Sequence, residues 1–384
     1  MEIILFLAGV FLLTFLVGKL FEKIRIPWIF SALLIGLFLS VFNPFTEITN
    51  SQTFNFLAEL GMLFLLFIIG FELNIKQILS QGKFIFKTTG AIILAESFFG
   101  SILIHYLFDI SWPIALLVAS SFATVGEAVL LPILEEFKLI KTKIGQTILG
   151  VGVLDDFVEI ITIVVASVVI GKTVGHSHNN IFLNLLLLAS LIGVVFMIIK
   201  FHKKLPIFKF KDLSLFFIFT MFFFFMFIGV GKYVESGALG ALLAGIALRN
   251  IIPPGKLKLI ESKIKTISYG LFAPIFFLSV GLSTDVIFLL RFPLLIVAVV
   301  LMTNFAKILS CYLVGRKVMG AKKSIFLGVS LTVKFSTSIV IIKMLADNGI
   351  IPLELYSVLV GTTIAFIIVP VLLLSKMVTK WHLH

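Results

Sequence analysis

Residues 150–160 read GVGVLDDFVEI, which places two adjacent acids, Asp155 and Asp156, close to the middle of a long apolar stretch. Glu159 follows one helical turn later. Residues three and four apart share a helix face, so Glu159 lies over both aspartates. Ionised side chains at the centre of a hydrocarbon layer cost several kcal/mol by insertion scales, and are kept where they face a cavity or one another. Two neighbouring buried carboxylates cannot both ionise cheaply unless a cation is present, so the pair takes either a proton or a hard, oxygen-seeking cation. Mutual exclusion of the two is the chemical requirement for antiport.

The rest of the chain agrees with a membrane setting. Of 384 residues, 60% are hydrophobic and 13% are charged, and the mean hydropathy is +1.20. Soluble domains carry roughly 25% charged residues. Apolar runs near the roughly 20 residues that cross a bilayer recur from end to end, which excludes a single water-soluble core. Thirteen spans are expected, starting near Ile3, Pro27, Phe54, Phe84, Trp112, Ile144, Ile181, Leu213, Ser236, Ile267, Pro293, Ser324 and Pro352. The first has no basic leader or small-residue cleavage site, so it reads as a retained span. The predicted fold is an all-α polytopic membrane protein forming one transport domain over 1–384, with no cytosolic regulatory domain.

The net charge of +12 reflects topology, not nucleic-acid binding. Lysines and arginines crowd alternate connections, such as Lys19 to Arg25, Lys138 to Lys143 and Arg249 to Lys265, while the intervening ones hold only Lys172, Lys232 and Arg291. This asymmetry puts the N-terminus outside and the C-terminus in the cytoplasm of the cell's inner membrane. Lys307, Lys334 and Lys343 are then the basic residues within spans, and Glu59, Glu96, Glu127, Asp155, Asp156 and Glu159 the acids. Glu59 and Lys343, near span ends, read as side chains reaching for the interface. The lone Cys311 gives neither a disulfide framework nor a CxxC metal site. His176 and His178 read as solvated loop residues. The aromatic run near Met221 to Met226 reads as lipid-facing packing, and no GxGxxG or Walker pattern points to a nucleotide.

An internal repeat is visible at an offset of 211 residues. LFLLFIIGFELNI in the third span matches PIFFLSVGLSTDV in the tenth, aligning Gly70 with Gly281, Asn74 with Asp285 and, further on, Glu96 with Lys307. The paired spans run in opposite directions, so the repeat is inverted: about 1–171 and about 213–378, joined by a linker helix at about 181–200. Inverted repeats with broken helices meeting at the membrane midplane are a plan of secondary transporters. The fifth and twelfth spans are the candidates for those breaks, since their centres hold Ser120, Ser121, Thr124 and Glu127, and Ser330, Thr332, Lys334, Ser336 and Thr337. Two continuous helices with locally bonded hydroxyls are the other reading.

FLAELGMLFLLFIIGFEL, KIGQTILGVGVLDDFVEI, APIFFLSVGL and NFAKILS, in that order, resemble the monovalent cation:proton antiporter superfamily. The tandem aspartates with Lys307 resemble most its electrogenic bacterial sodium/proton branch of thirteen helices. The electroneutral branch usually has Asn-Asp there, and the glutathione-gated potassium systems Gln-Asp followed by a nucleotide-binding domain. The resemblance implies crossed discontinuous helices and exchange of Na+ or Li+ for H+ without a cofactor. It makes Asp156 the principal ion- and proton-binding carboxylate, with Na+ at Asp156 and Asp155. Asp155 is implied to pair with Lys307 until the cation enters, and Glu159 and Glu96 are accessory. It further implies a homodimer in contact with membrane lipids, with neither nucleotide nor nucleic acid as partner.

The chain departs from those relatives where they commonly show Pro-Arg-Gly-Glu and it has Val333, Lys334, Phe335 and Ser336, and where Glu127 enters a stretch usually uncharged. Glu127 and Lys334 are expected to compensate the partial charges of the half-helix ends and to pair with one another. The alternative is that Glu127 ligates the cation. Potassium/proton exchange is the rival within transport. An intramembrane aspartyl protease is a different class, but such proteases take their aspartates from two helices. A passive channel fits a deep lysine-paired site poorly.

Overall fold

The computed structural model describes residues 2–23, 26–73, 78, 80–125, 130, 134, 138–174, 190, 193–197, 200, 213–233, 237–252, 254–334 and 337–381. Glu127, Ser336, His176, His178 and the start of the span expected from Ile181 lie outside them. Among the described residues the secondary structure is helical throughout, as the apolar spacing predicts: without water to bond the backbone, each segment must satisfy its own peptide groups.

The helices are α1 (Ile3–Lys23), α2 (Phe30–Val41), the single turn α3 (Thr46–Thr49), α4 (Gln52–Glu72), α5 (Lys83–Phe108), α6 (Trp112–Phe122), α7 (Lys143–Val174), α8 (Leu213–Lys232) and α9 (Gly237–Ile251). Then follow α10 (Pro254–Ile267), a π-helical turn (Ser268–Phe272), α11 (Ala273–Leu282), α12 (Val286–Arg291), α13 (Pro293–Met319), α14 (Ala321–Ser330), α15 (Thr337–Asp347) and α16 (Leu353–Trp381). Among the described residues, six stretches are both long and apolar enough to cross a membrane, including Ile3–Lys23, Lys83–Phe108 and Pro293–Met319. The two interruptions fall where the hydroxyl-rich centres predict them. α6 stops at Phe122, with 123–125 non-helical, and the twelfth span is split into α14 and α15 around non-helical 331–334.

The chain forms two compact units, one of Met1–Ile48, Asn74–Thr162 and Phe277–His384, the other of Thr49–Leu73 and Ile163–Phe276. In the first, α5 packs on α6 and α13, α13 on α14 and α16, and α15 on α6 and α16. Here α2 meets α11 so closely that a Cβ on Gly36 would stand 2.9 Å from Gly281 Cα. In the second, α4 packs on α9 and α9 on α8. A Cβ on Gly245 would stand 3.0 Å from the Gly70 carbonyl carbon. Gly70 and Gly281 are the repeat-related pair, and each meets a helix supplied by the other repeat. The inverted repeats are therefore interlocked, by small residues that let backbones approach without side chains between them.

The second unit also carries an aromatic core: Phe64 stacks on Phe224 at 4.3 Å and on Phe272 at 4.4 Å, and Phe67 meets Phe224 edge-on at 5.2 Å. This corrects the lipid-facing reading of the run near Met221. Phe222 and Phe225 are exposed, but Phe223 and Phe224 are buried, as a 3.6-residue period requires of consecutive residues. The charges at span ends are satisfied locally. Lys232 pairs with Glu59 at 2.8 Å, and Lys343 with Asp347 one turn on. At the other end of α4, Arg249 donates to the Phe71 carbonyl at 2.7 Å and Lys265 pairs with Glu72 at 2.6 Å.

Candidate functional site

The two breaks meet beside α7 in the first unit, and buried charges gather there. A helix end leaves carbonyls without intrahelical partners and carries partial negative charge, so a cation is stabilised at it. Both mid-span lysines occupy such ends. Lys307, on α13 and fully buried, donates to the Leu331 carbonyl at the end of α14 (2.6 Å) and to the Thr124 carbonyl beyond the end of α6 (3.4 Å). Lys334, in the second break and also fully buried, donates to the Phe122 carbonyl and lies 4.7 Å from the centre of the Phe122 ring and 5.6 Å from that of Phe366. The hydroxyl of Thr124 turns back onto the Ser121 carbonyl at 3.1 Å, so this residue offers its main chain to the site.

The counter-charge is Glu96 on α5, only 2% exposed, whose carboxylate spans both lysines: Oε1 is 2.6 Å from Lys334 Nζ and Oε2 is 3.4 Å from Lys307 Nζ. Asp155, equally buried, has a different partner. Its Oδ2 accepts the Val125 main-chain N–H at 2.6 Å, an anion set against the unpaired amide of a broken helix. Lys307, Lys334 and Glu96 all act on it electrostatically. Asp156, the next residue of α7, is half-buried, and Glu159 one turn on is buried. The result is a cluster of two lysines with Glu96 and Asp155, in which the lysines and Asp155 are held against interrupted backbone.

One sequence expectation is corrected by this geometry. No ion pair of 4.0 Å or less joins Asp155 to Lys307, because the lysine is drawn to the Leu331 carbonyl and to Glu96. Lys334, expected from the sequence to pair with Glu127, is paired with Glu96. Glu127 and Ser336 lie outside the described residues. Glu96, read from sequence as accessory, is the hub. The signal was present: Glu96 and Lys307 are related by the 211-residue offset, and residues close to a two-fold axis meet their own symmetry mates. The same offset carries Ala123, in the first break, onto Lys334 in the second.

A family model described as sodium/hydrogen exchanger, transmembrane, matches residues 10–380. A protein of Methanocaldococcus jannaschii named probable Na(+)/H(+) antiporter 3 is 27% identical over 356 residues, 91% of this chain and 90% of that one. An ammonium/H(+) antiporter subunit of Alkalihalophilus pseudofirmus is 27% identical over 354 residues, 90% of this chain and 87% of its own. The solved structure of a sodium proton antiporter from Methanocaldococcus jannaschii superposes with a TM-score of 0.66 at 20% identity, over 99% of this chain and 96% of that one, which shows a shared fold. With a match running from the first span into the last, and with two broken helices meeting at buried charges, this multi-pass membrane chain belongs to the sodium/hydrogen exchanger family.

Proposed function

We propose that this protein exchanges Na+ or Li+ for H+ across the cytoplasmic membrane, electrogenically, with Asp156 as the principal ion- and proton-binding carboxylate and Asp155 as its neighbour in the site. The observation that carries the reading is the placement of Asp155 at the break between half-helices, with its carboxylate on the Val125 N–H and its neighbour Asp156 half-buried. A cation arriving between the two carboxylates replaces the proton that one of them otherwise needs, since adjacent buried acids ionise together only with a counter-charge. Backbone freed by the breaks supplies oxygen ligands of the kind a hard cation prefers. Lys307 and Lys334 keep the empty site from carrying an uncompensated negative charge. The N-terminus lies outside, the C-terminus in the cytoplasm, and the protein works as a homodimer.

The test is proton movement in sealed proteoliposomes carrying an internal pH indicator, with sodium, lithium, potassium and ammonium chloride added in turn. Sodium and lithium produce proton flux under this reading, and flux that grows with an imposed membrane potential marks electrogenic exchange. Response to potassium or ammonium alone replaces the proposed cation, the ammonium arm being included because one relative is an ammonium/H(+) antiporter subunit. Cation flux without proton movement overturns antiport.

A further inference from the structure

The helix α10 and the turn after it carry charges that the antiport site does not use. Along Pro254–Ile267 the buried Ile260 and Ile264 lie on one side and the exposed residues on the other, the pattern of an amphipathic helix. Its charges are sorted. Lys265 pairs with Glu72 at 2.6 Å and with Glu261 at 3.0 Å, so it engages both acids. Lys258 and Lys263 are exposed and form no ion pair of 4.0 Å or less among the described residues. At 3.6 residues per turn they stand about 140° apart and about 7.5 Å along the axis, at the two edges of one exposed face. Ser262 and Thr266 lie between them on that face, together with Leu259, which is 52% exposed.

The depth of this face follows from the length of the helix. Leu257–Leu282 is an apolar stretch of 26 residues, about 39 Å long at 1.5 Å per residue, whereas the hydrocarbon core is about 30 Å thick. The excess of about 9 Å is about six residues. With the Leu282 end at the opposite boundary, Lys258 therefore stands among the headgroups and Lys263 at their edge, within reach of them by its flexible stem. Toward the membrane the same face is open. A Cβ on Gly270 would meet nothing within 4 Å, and Leu271 beside it is 47% exposed. Two unpaired ammonium groups above an open apolar track match a molecule with a negative phosphate at one end and a hydrocarbon chain at the other. A soluble anion would use the lysines and leave the track bare.

We propose that this face binds an anionic phospholipid of the cytoplasmic leaflet, its phosphate between Lys258 and Lys263 and an acyl chain along Thr266, Gly270 and Leu271. Basic groups at the cytoplasmic surface are attracted by the anionic lipids there, and the apolar contact adds to that attraction. The bound lipid anchors the α10 end of the second unit at headgroup depth. The inference rests on the proposed orientation, which puts α10 on the cytoplasmic side, and is independent of Asp155 and Asp156.

Thermal unfolding of the full-length protein in a neutral detergent, titrated with phosphatidylglycerol, phosphatidylcholine of the same chains or glycerol 3-phosphate, tests it. Phosphatidylglycerol raises the unfolding temperature, phosphatidylcholine raises it less, and glycerol 3-phosphate leaves it unchanged. Lys258→Gln and Lys263→Gln each weaken the apparent affinity for phosphatidylglycerol about fivefold, whereas Lys19→Gln, at an exposed lysine of α1, does not. Gly270→Leu keeps every charge, fills the track and also weakens it. These positions are exposed, so the variants unfold as the wild type does in detergent alone. Unaltered phosphatidylglycerol affinity in the Lys258→Gln, Lys263→Gln double variant overturns the proposal. Equal stabilisation by phosphatidylcholine overturns the anionic preference, and equal stabilisation by glycerol 3-phosphate makes the occupant a soluble anion. The orientation has its own test. The single cysteine, Cys311, is buried, so Lys258→Cys provides one accessible thiol, which a membrane-impermeant maleimide reaches only in inverted vesicles. Labelling from the outside overturns the orientation, whereas loss of the lipid effect with the cytoplasmic label intact overturns this inference alone.

Discussion

Neutralising Glu96 is the most informative single perturbation of stability, because one carboxylate serves two fully buried ammonium groups. Glu96→Gln keeps the shape and leaves Lys307 and Lys334 with the Leu331, Thr124 and Phe122 carbonyls, the two aromatic faces and the more distant Asp155. Removing one partner of a buried ion pair costs about 3–5 kcal/mol, since the other charge stays desolvated and uncompensated. Both lysines lose a partner here, at 2.6 and 3.4 Å, so the upper part of that range is expected. Carbonyl contacts do not replace the carboxylate, because they carry no net charge against two ammoniums that repel each other. Replacing carboxylate and ammonium together removes both desolvation penalties, so Glu96→Gln with Lys334→Met recovers most of the loss. The assay is unfolding of the purified protein in detergent for wild type, both single variants and the double variant, read as a double-mutant cycle. Strictly additive losses, or a Glu96→Gln protein as stable as wild type, would refute the pairing.

Further expectations concern transport and packing. Asp156→Asn leaves the protein folded but abolishes sodium-dependent proton flux in proteoliposomes, because an amide hydrogen-bonds yet cannot cycle a proton at neutral pH. Gly36→Ala places a methyl 2.9 Å from Gly281 Cα and 3.0 Å from the Leu282 nitrogen, so it costs about 1–3 kcal/mol of stability in the same unfolding assay. Gly90→Ala, inside α5 with nothing within 4 Å of its new methyl, stabilises by about 0.5–1 kcal/mol. Glu59→Gln breaks a pair with Lys232 that is half in solvent, and shifts stability by less than about 1 kcal/mol with transport intact.

The helical spans among the described residues, the burial of Glu96, Asp155, Lys307 and Lys334, the two breaks and the inverted repeat are legible in the sequence, because each depends on the solvation of a residue by its immediate surroundings. An apolar run of bilayer length, a cluster of hydroxyls in its middle and a pair of aspartates at its centre have the same hydration cost whatever lies beside them. Partner choice is different. Lys307 goes to Glu96 and the Leu331 carbonyl instead of Asp155, and Lys334 to Glu96 and the Phe122 carbonyl. Which carboxylate a lysine reaches is settled over one or two ångströms, by where α6 and α14 stop and by how closely α5 packs on α13. Ion-pair energy falls away with distance too steeply for sequence spacing to rank acceptors on neighbouring helices.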